Sequence, residues 1–81
     1  MTMQILDVVV LTKDLPAHGL RRGDLGAIVE RYDAKTIGVE FVAASGRTQA
    51  LVTLHADDIR AVADDDLVAV RPAHETSRRD G

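Results

Sequence analysis

Asp24-Leu25-Gly26-Ala27-Ile28-Val29-Glu30-Arg31-Tyr32, followed after a short polar break by Ile37-Gly38-Val39-Glu40-Phe41-Val42, is the stretch that decides the fold. Side chains of an extended chain alternate between its two faces, so Ala27 and Val29 fall on one side, with Gly26, Ile28 and Glu30 on the other. In the second run Val39 and Phe41 alternate with Gly38 and Glu40. The polar break Asp33-Ala34-Lys35-Thr36 then reads as a turn, and the whole as a hairpin. Gly23 and Gly26 bracket the start of the run from Asp24 to Tyr32, at a place where a small barrel must bend.

Beyond that hairpin, Ala43-Ala44-Ser45-Gly46 makes a second turn of the same kind, with Gly46 in the left-handed conformation. Residues 48–54 form the next strand, in which Val52 and Leu54 share a face with Thr48 and Ala50. His55-Ala56-Asp57-Asp58 is one tight turn before a short strand over residues 59–62. Towards the N-terminus, residues 5–11 form the first strand, since Val8, Val9 and Val10 are stiff at χ1 and favour extended backbone. Between it and Gly23, residues 12–23 carry Pro16, Gly19 and Gly23 and read as a long ordered loop pinned by Leu15 and Leu20. The expectation is a mostly β chain: a small antiparallel barrel of five strands, with Leu67-Val68-Ala69-Val70 a candidate sixth. The domain spans residues 4–70, and a disordered polar tail covers 71–81.

Eighty-one residues make one domain whose core supplies a margin of only ~3–5 kcal/mol. One Phe, one Tyr and no Trp leave that core to Val, Leu, Ile and Ala, and the absence of Cys excludes disulfides, thiolate nucleophiles and Cys-based metal sites. With no apolar run long enough for a membrane span or a signal h-region, the expected setting is cytoplasmic. The net charge of −3 belongs to the C-terminal part: residues 1–47 hold six basic and six acidic groups, residues 48–81 four and seven. An acidic chain is a poor general binder of polyanions, because that affinity comes from neutralising phosphates.

The block Asp7-Val8-Val9-Val10-Leu11, then Asp14-Leu15-Pro16-Ala17-His18-Gly19-Leu20-Arg21-Arg22-Gly23-Asp24-Leu25-Gly26, then Val39-Glu40-Phe41 and Leu51-Val52-Thr53-Leu54, resembles a small bacterial family known only as a domain of unknown function. The resemblance covers roughly residues 5–62 and implies an SH3-like barrel without an assigned activity. More loosely, residues 23–29 with 39–41 are similar to the first hairpin of other SH3-like barrels, including KOW modules that bind RNA or ribosomal protein surfaces and small barrels that dock beside electron-transfer complexes. Fold likeness alone transfers no function.

No chemistry assembles from the remaining residues. His18, His55 and His74 are scattered over two loops and the tail without ligand spacing, and Ser45 and Ser77 lack a nucleophile context. Gly19, Gly23 and Gly26 are not followed by the Gly-Lys-Ser/Thr of a phosphate loop. Asp64-Asp65-Asp66 lacks the spacing of a calcium loop and reads as a solvated linker, while Asp57 and Asp58 form a turn. No cofactor, metal or small-molecule substrate is expected, and no enzyme.

Arg21 and Arg22, with Arg31, Lys35 and Arg47, stand out as a basic cluster if the long loop and the two hairpins lie near one another. The ordered, leucine-anchored loop without catalytic residues points to a non-catalytic protein-interaction module, an accessory subunit or an antitoxin-like or immunity-like partner, contacting its target through residues 12–23 and an open sheet edge or face. His18, Leu20, Arg21, Arg22, Arg31 and Arg47 are its candidate contact residues. A homodimer is a further form of the same reading. The alternative is a KOW-like nucleic-acid-binding module, disfavoured by the acidic total and by Tyr32 and Phe41 being the only aromatics.

Overall fold

The computed structural model of the chain describes residues 4–73. Five strands follow one another: β1 (Val8–Leu11), β2 (Leu25–Arg31), β3 (Thr36–Val42), β4 (Thr48–His55) and β5 (Ile59–Ala61), with 3-10 turns at Pro16–His18 and Ala56–Asp58. All neighbours are antiparallel, in one sheet of order β4-β3-β2-β1-β5. The expected mostly β architecture is what the chain adopts. Among the described residues no helix is long and apolar enough to cross a membrane.

The order forces the sheet to curl. Laid flat, five strands would place the two edges roughly 19 Å apart at the usual strand spacing. Yet β4 and β5 are the opposite edges and only the three-residue turn Ala56–Asp58 joins them, a piece that reaches roughly 8 Å at 3-10 rise. The sheet therefore wraps around its inner face. There Val9, Leu11, Ile28, Ile37, Val39, Phe41, Val52, Leu54 and Ile59 pack with Leu20 from the long loop.

Two bulges supply the curvature and change which side chains face inward. Ile28 pairs with Val39 but Glu30 with Gly38, so Val29 is the extra residue of β2. Phe41 pairs with Ala50 but Val42 with Thr48, so Gln49 is the extra residue of β4. A bulge shifts the alternation by one. Glu30 consequently leaves the face of Ile28, and Thr48 leaves that of Val52 and Leu54, both against expectation. On the outer face Thr48 donates its hydroxyl hydrogen bond to the Glu40 carboxylate.

β1 begins three residues later than the pattern of apolar residues suggests. Residues 4–7 form a turn in which the Asp7 carboxylate accepts from the Gln4 N–H at 2.8 Å, and Leu6 takes a left-handed φ of 73°. The lone β-branched Ile5 does not extend the backbone; the consecutive run Val8-Val9-Val10 does.

Aspartate closes most of the turns. Asp24 accepts from the Arg21 N–H at 2.8 Å, and Asp66 from the Ala63 N–H at 2.6 Å. Asp58 accepts from the His55 N–H at 3.3 Å, while His55 Nδ1 accepts from the Asp57 N–H, so the 3-10 turn is capped from both sides. Asp33 accepts from both Lys35 and Thr36 N–H groups at 2.8 Å. These two bonds from backbone N–H groups hold the Asp33 carboxyl below the ordinary carboxylate range.

Residues 67–70 form no strand, and among the described residues their backbones make no hydrogen bond. Beyond them Arg71 is fixed by side-chain bonds, so the stretch expected to be a free tail is tied at its first residue. The rest of that tail, with His74 and Ser77, lies outside the described residues.

Candidate functional site

The long loop is closed at three levels. Leu11 N–H bonds to Asp24 O and Gly23 N–H to Leu11 O, the Arg22 N–H donates to the Asp14 carboxylate at 2.8 Å, and Leu15 and Leu20 form a β-bridge around the turn Pro16–His18. Gly19 makes the return, with φ 69°. Leu20 is only 4% exposed and belongs to the core. It is thus the loop's anchor, as its isolation in a polar stretch suggests, and it is not available as a contact residue.

The expected basic cluster is divided. β2 runs from Leu25 to Arg31 and β3 returns antiparallel beside it, with Ala27 opposite Glu40 and Arg31 opposite Ile37. The β3–β4 turn with Arg47 therefore lies at the Leu25 end, by the loop with His18, Arg21 and Arg22. Arg31 and Lys35 lie at the other end, roughly 20 Å away at strand rise. His18, Arg21, Arg22, Arg31, Lys35 and Arg47 are all exposed. The prediction of proximity fails because a hairpin places successive turns at opposite ends of the sheet.

Instead, the feature assembled at the Leu25 end is a groove of about 550 Å³ between the outer face of the sheet and the returning C-terminal segment. Its lining includes Val10, Leu25, Val42, Val62 and Leu67. Since Val9, Leu11, Gly26 and Ile28 face inward, Val8, Val10, Leu25 and Ala27 face out, and the row Val8, Ala27, Glu40, Leu51 crosses four strands. Towards the Leu25 end aliphatic side chains recur on this face. Val8, Leu25, Val42, Leu51 and Val62 are exposed large apolar residues, whereas Val10 is only 6% exposed at the base of the groove.

Two ion pairs stake the segment that forms the other wall. Arg60 holds Asp66 with two bonds, Nη1 to Oδ2 at 2.8 Å and Nη2 to Oδ1 at 2.9 Å. With the Ala63 N–H also donating, the Asp66 carboxyl is lowered to about 2. Five residues on, Arg71 Nε donates to Asp24 Oδ1 at 2.9 Å, Nη2 donates to Asp24 Oδ2, and Nη2 also reaches Gly19 O at 3.0 Å. Burial works against the charged form of Asp24, but the Arg71 bonds and the Arg21 N–H outweigh it and hold its carboxyl below the ordinary value. Between the stakes Leu67, Val68 and Val70 are 95%, 72% and 98% exposed.

Asp24, Arg60, Asp66 and Arg71 carry no sequence signal of this role. Asp24 and Arg71 are 47 residues apart, and a single acid and a single base at that distance are indistinguishable from solvated charges. Only the order-breaking run Asp64-Asp65-Asp66 before an apolar tetrapeptide hints that the segment is positioned.

No curated protein and no solved structure matches the chain. A family described as a domain of unknown function (DUF4926) matches residues 5–61, the whole span from the turn before β1 to the end of β5. With the five strands inside that match and the staked segment outside it, the chain belongs to the DUF4926 family.

Proposed function

We propose that the chain is a non-catalytic protein-interaction module built on an SH3-like barrel. Its contact surface is the aliphatic outer face together with residues 67–70, rather than the arginines that the sequence brings to notice. The observation that carries this reading is the high exposure of Leu67, Val68 and Val70 on a segment fixed at both ends. A chain with so small a core gains nothing from holding three branched apolar side chains in water, unless a partner covers them. Pre-fixing such a segment lowers the ordering cost of binding. An accessory subunit of a larger assembly, or an inhibitor seated on its target, suits such a surface.

The test is capture of tagged chain with its partners from its native cell extract, half of it treated with nuclease. A stoichiometric protein that survives nuclease and is lost with Val68→Lys supports the reading. Recovery of nucleic acid alone overturns it in favour of Arg21, Arg22 and Arg47, which the fold does gather at one end. That second reading has only Tyr32 as an exposed aromatic, Phe41 being in the core.

A further inference from the structure

The segment between the two stakes has a polarity of its own: Asp64, Asp65 and Asp66 precede the apolar tetrapeptide and Arg71 follows it. Reversed and laid beside itself, such a segment brings opposite charges together. We propose that residues 65–71 of two copies of the chain pair as antiparallel strands about a two-fold axis through Val68, making the homodimer the form in which this surface is covered. The proposal rests on the protein-interaction reading above and names its partner as a second copy.

Symmetry and charge select the register. In an antiparallel pair of identical strands the two-fold axis passes where a residue faces its own copy. With the axis at Val68, Asp65 lies opposite Arg71 of the second copy, Leu67 opposite Ala69, and Asp66 opposite Val70. With the axis at Ala69 instead, Leu67 meets Arg71 and Asp66 meets Pro72, which has no N–H to give to a ladder. Moving it to Leu67 sets Asp65 and Asp64 against Ala69 and Val70. Only the Val68 register sets an acid, Asp65, against a base, Arg71, and Leu67 against Ala69; Asp66, opposite Val70, stays paired with Arg60 of its own chain. Arg71 then sits between Asp24 of its own chain and Asp65 of the other, an alternation of sign that stabilises both contacts. The backbone groups of residues 67–70, without hydrogen-bonded partners among the described residues, gain them in the ladder.

The chain contains no cysteine, so a single introduced thiol reports its own environment. In the full chain, Val68→Cys gives a symmetric disulfide dimer under mild oxidation about tenfold faster than Val70→Cys, because only at the axis does a residue face itself. Sedimentation equilibrium gives a dimer for the unaltered chain, and Val68→Lys, which sets two ammonium groups face to face, raises its dissociation constant by about tenfold or more. An unchanged urea midpoint for the isolated fold shows that the lysine has not unfolded it. A chain that stays monomeric, a dimer indifferent to Val68→Lys, or equal cross-linking at 68 and 70 overturns the proposal. A monomeric chain that still captures a nuclease-resistant protein loses the proposal and keeps the interaction reading, whereas one that captures only nucleic acid loses both.

Discussion

A methyl group at Gly26 would lie 2.6 Å from Val39 Cγ1 and 2.9 Å from Phe41 Cε2. Its value here is volume, since Gly26 lies on the inward face of β2 where those two side chains cross. The sequence shows a glycine at a strand start and suggests a bend; it cannot show what passes over it. Gly26→Ala is expected to overpack the core and lower stability by ~1–3 kcal/mol, read as a fall in urea midpoint at constant slope. Leu20→Ala opens a cavity at the base of the long loop and is expected to cost ~2–5 kcal/mol. Hydrogen exchange separates the two variants, with Leu20→Ala alone deprotecting the Leu15 and Leu20 amides. The dual role that sequence assigns to Leu20, anchor and contact, resolves in favour of the anchor because a side chain within the core has no face left for a partner.

At the level of elements, most strands are legible because alternation and turn chemistry agree, as in Asp33 bonding two N–H groups across the β2–β3 turn. The bulges at Val29 and Gln49 are not, since one added residue leaves composition and propensity unchanged and alters only the parity of everything beyond it. The failed sixth strand has a different cause. Its two valines favour extension, but Leu67 and Ala69 add little to that preference, and the two ion pairs fix the ends of a segment that pairs with no strand among the described residues. Cutting one stake tests this: Arg71→Ala is expected to speed limited proteolysis within residues 67–70 while leaving exchange protection of β1 and β2 unchanged. Acid acts on the same contacts. Asp24, Asp33 and Asp66 have carboxyls held below the ordinary 3.8, Asp66 at about 2. Their stabilisation is therefore complete above the unfolded value and is lost as pH falls through each folded one. Thermal melts between pH 7 and pH 2 should be flat down to about pH 4 and then decline, and Asp66→Asn should remove the lowest part of that decline.

For the molecule as a whole, the candidate site was the least legible level. Arginines attract notice because charge is visible in a sequence, but topology sends Arg31 and Lys35 to one end and Arg21, Arg22 and Arg47 to the other. The groove at the Leu25 end is lined largely by aliphatic side chains, and its far wall comes from Val62 and the residues after it, 37 or more positions along the chain from Leu25. The contrast gives a direct measurement. Replacing Arg21 and Arg22 together by alanine should leave capture of a protein partner unchanged, while Val68→Lys removes it. Fluorescence anisotropy with mixed RNA and DNA at physiological salt should show no binding.

The short turn that joins opposite edges of the sheet also dictates a timetable. β1 pairs with β5 through Val9 and Ala61, Val10 and Arg60, and Leu11 and Ile59, so the first strand made waits for the last. During synthesis the hairpins of β2, β3 and β4 can form one after another from local contacts, but β1 keeps one bare edge until Ala61 has left the ribosome. Closure of so distant a pair is slow compared with hairpin formation. A chain stalled before β5 is thus an open sheet with Val9 and Leu11 uncovered along that edge, a surface open to chaperone capture until β5 arrives.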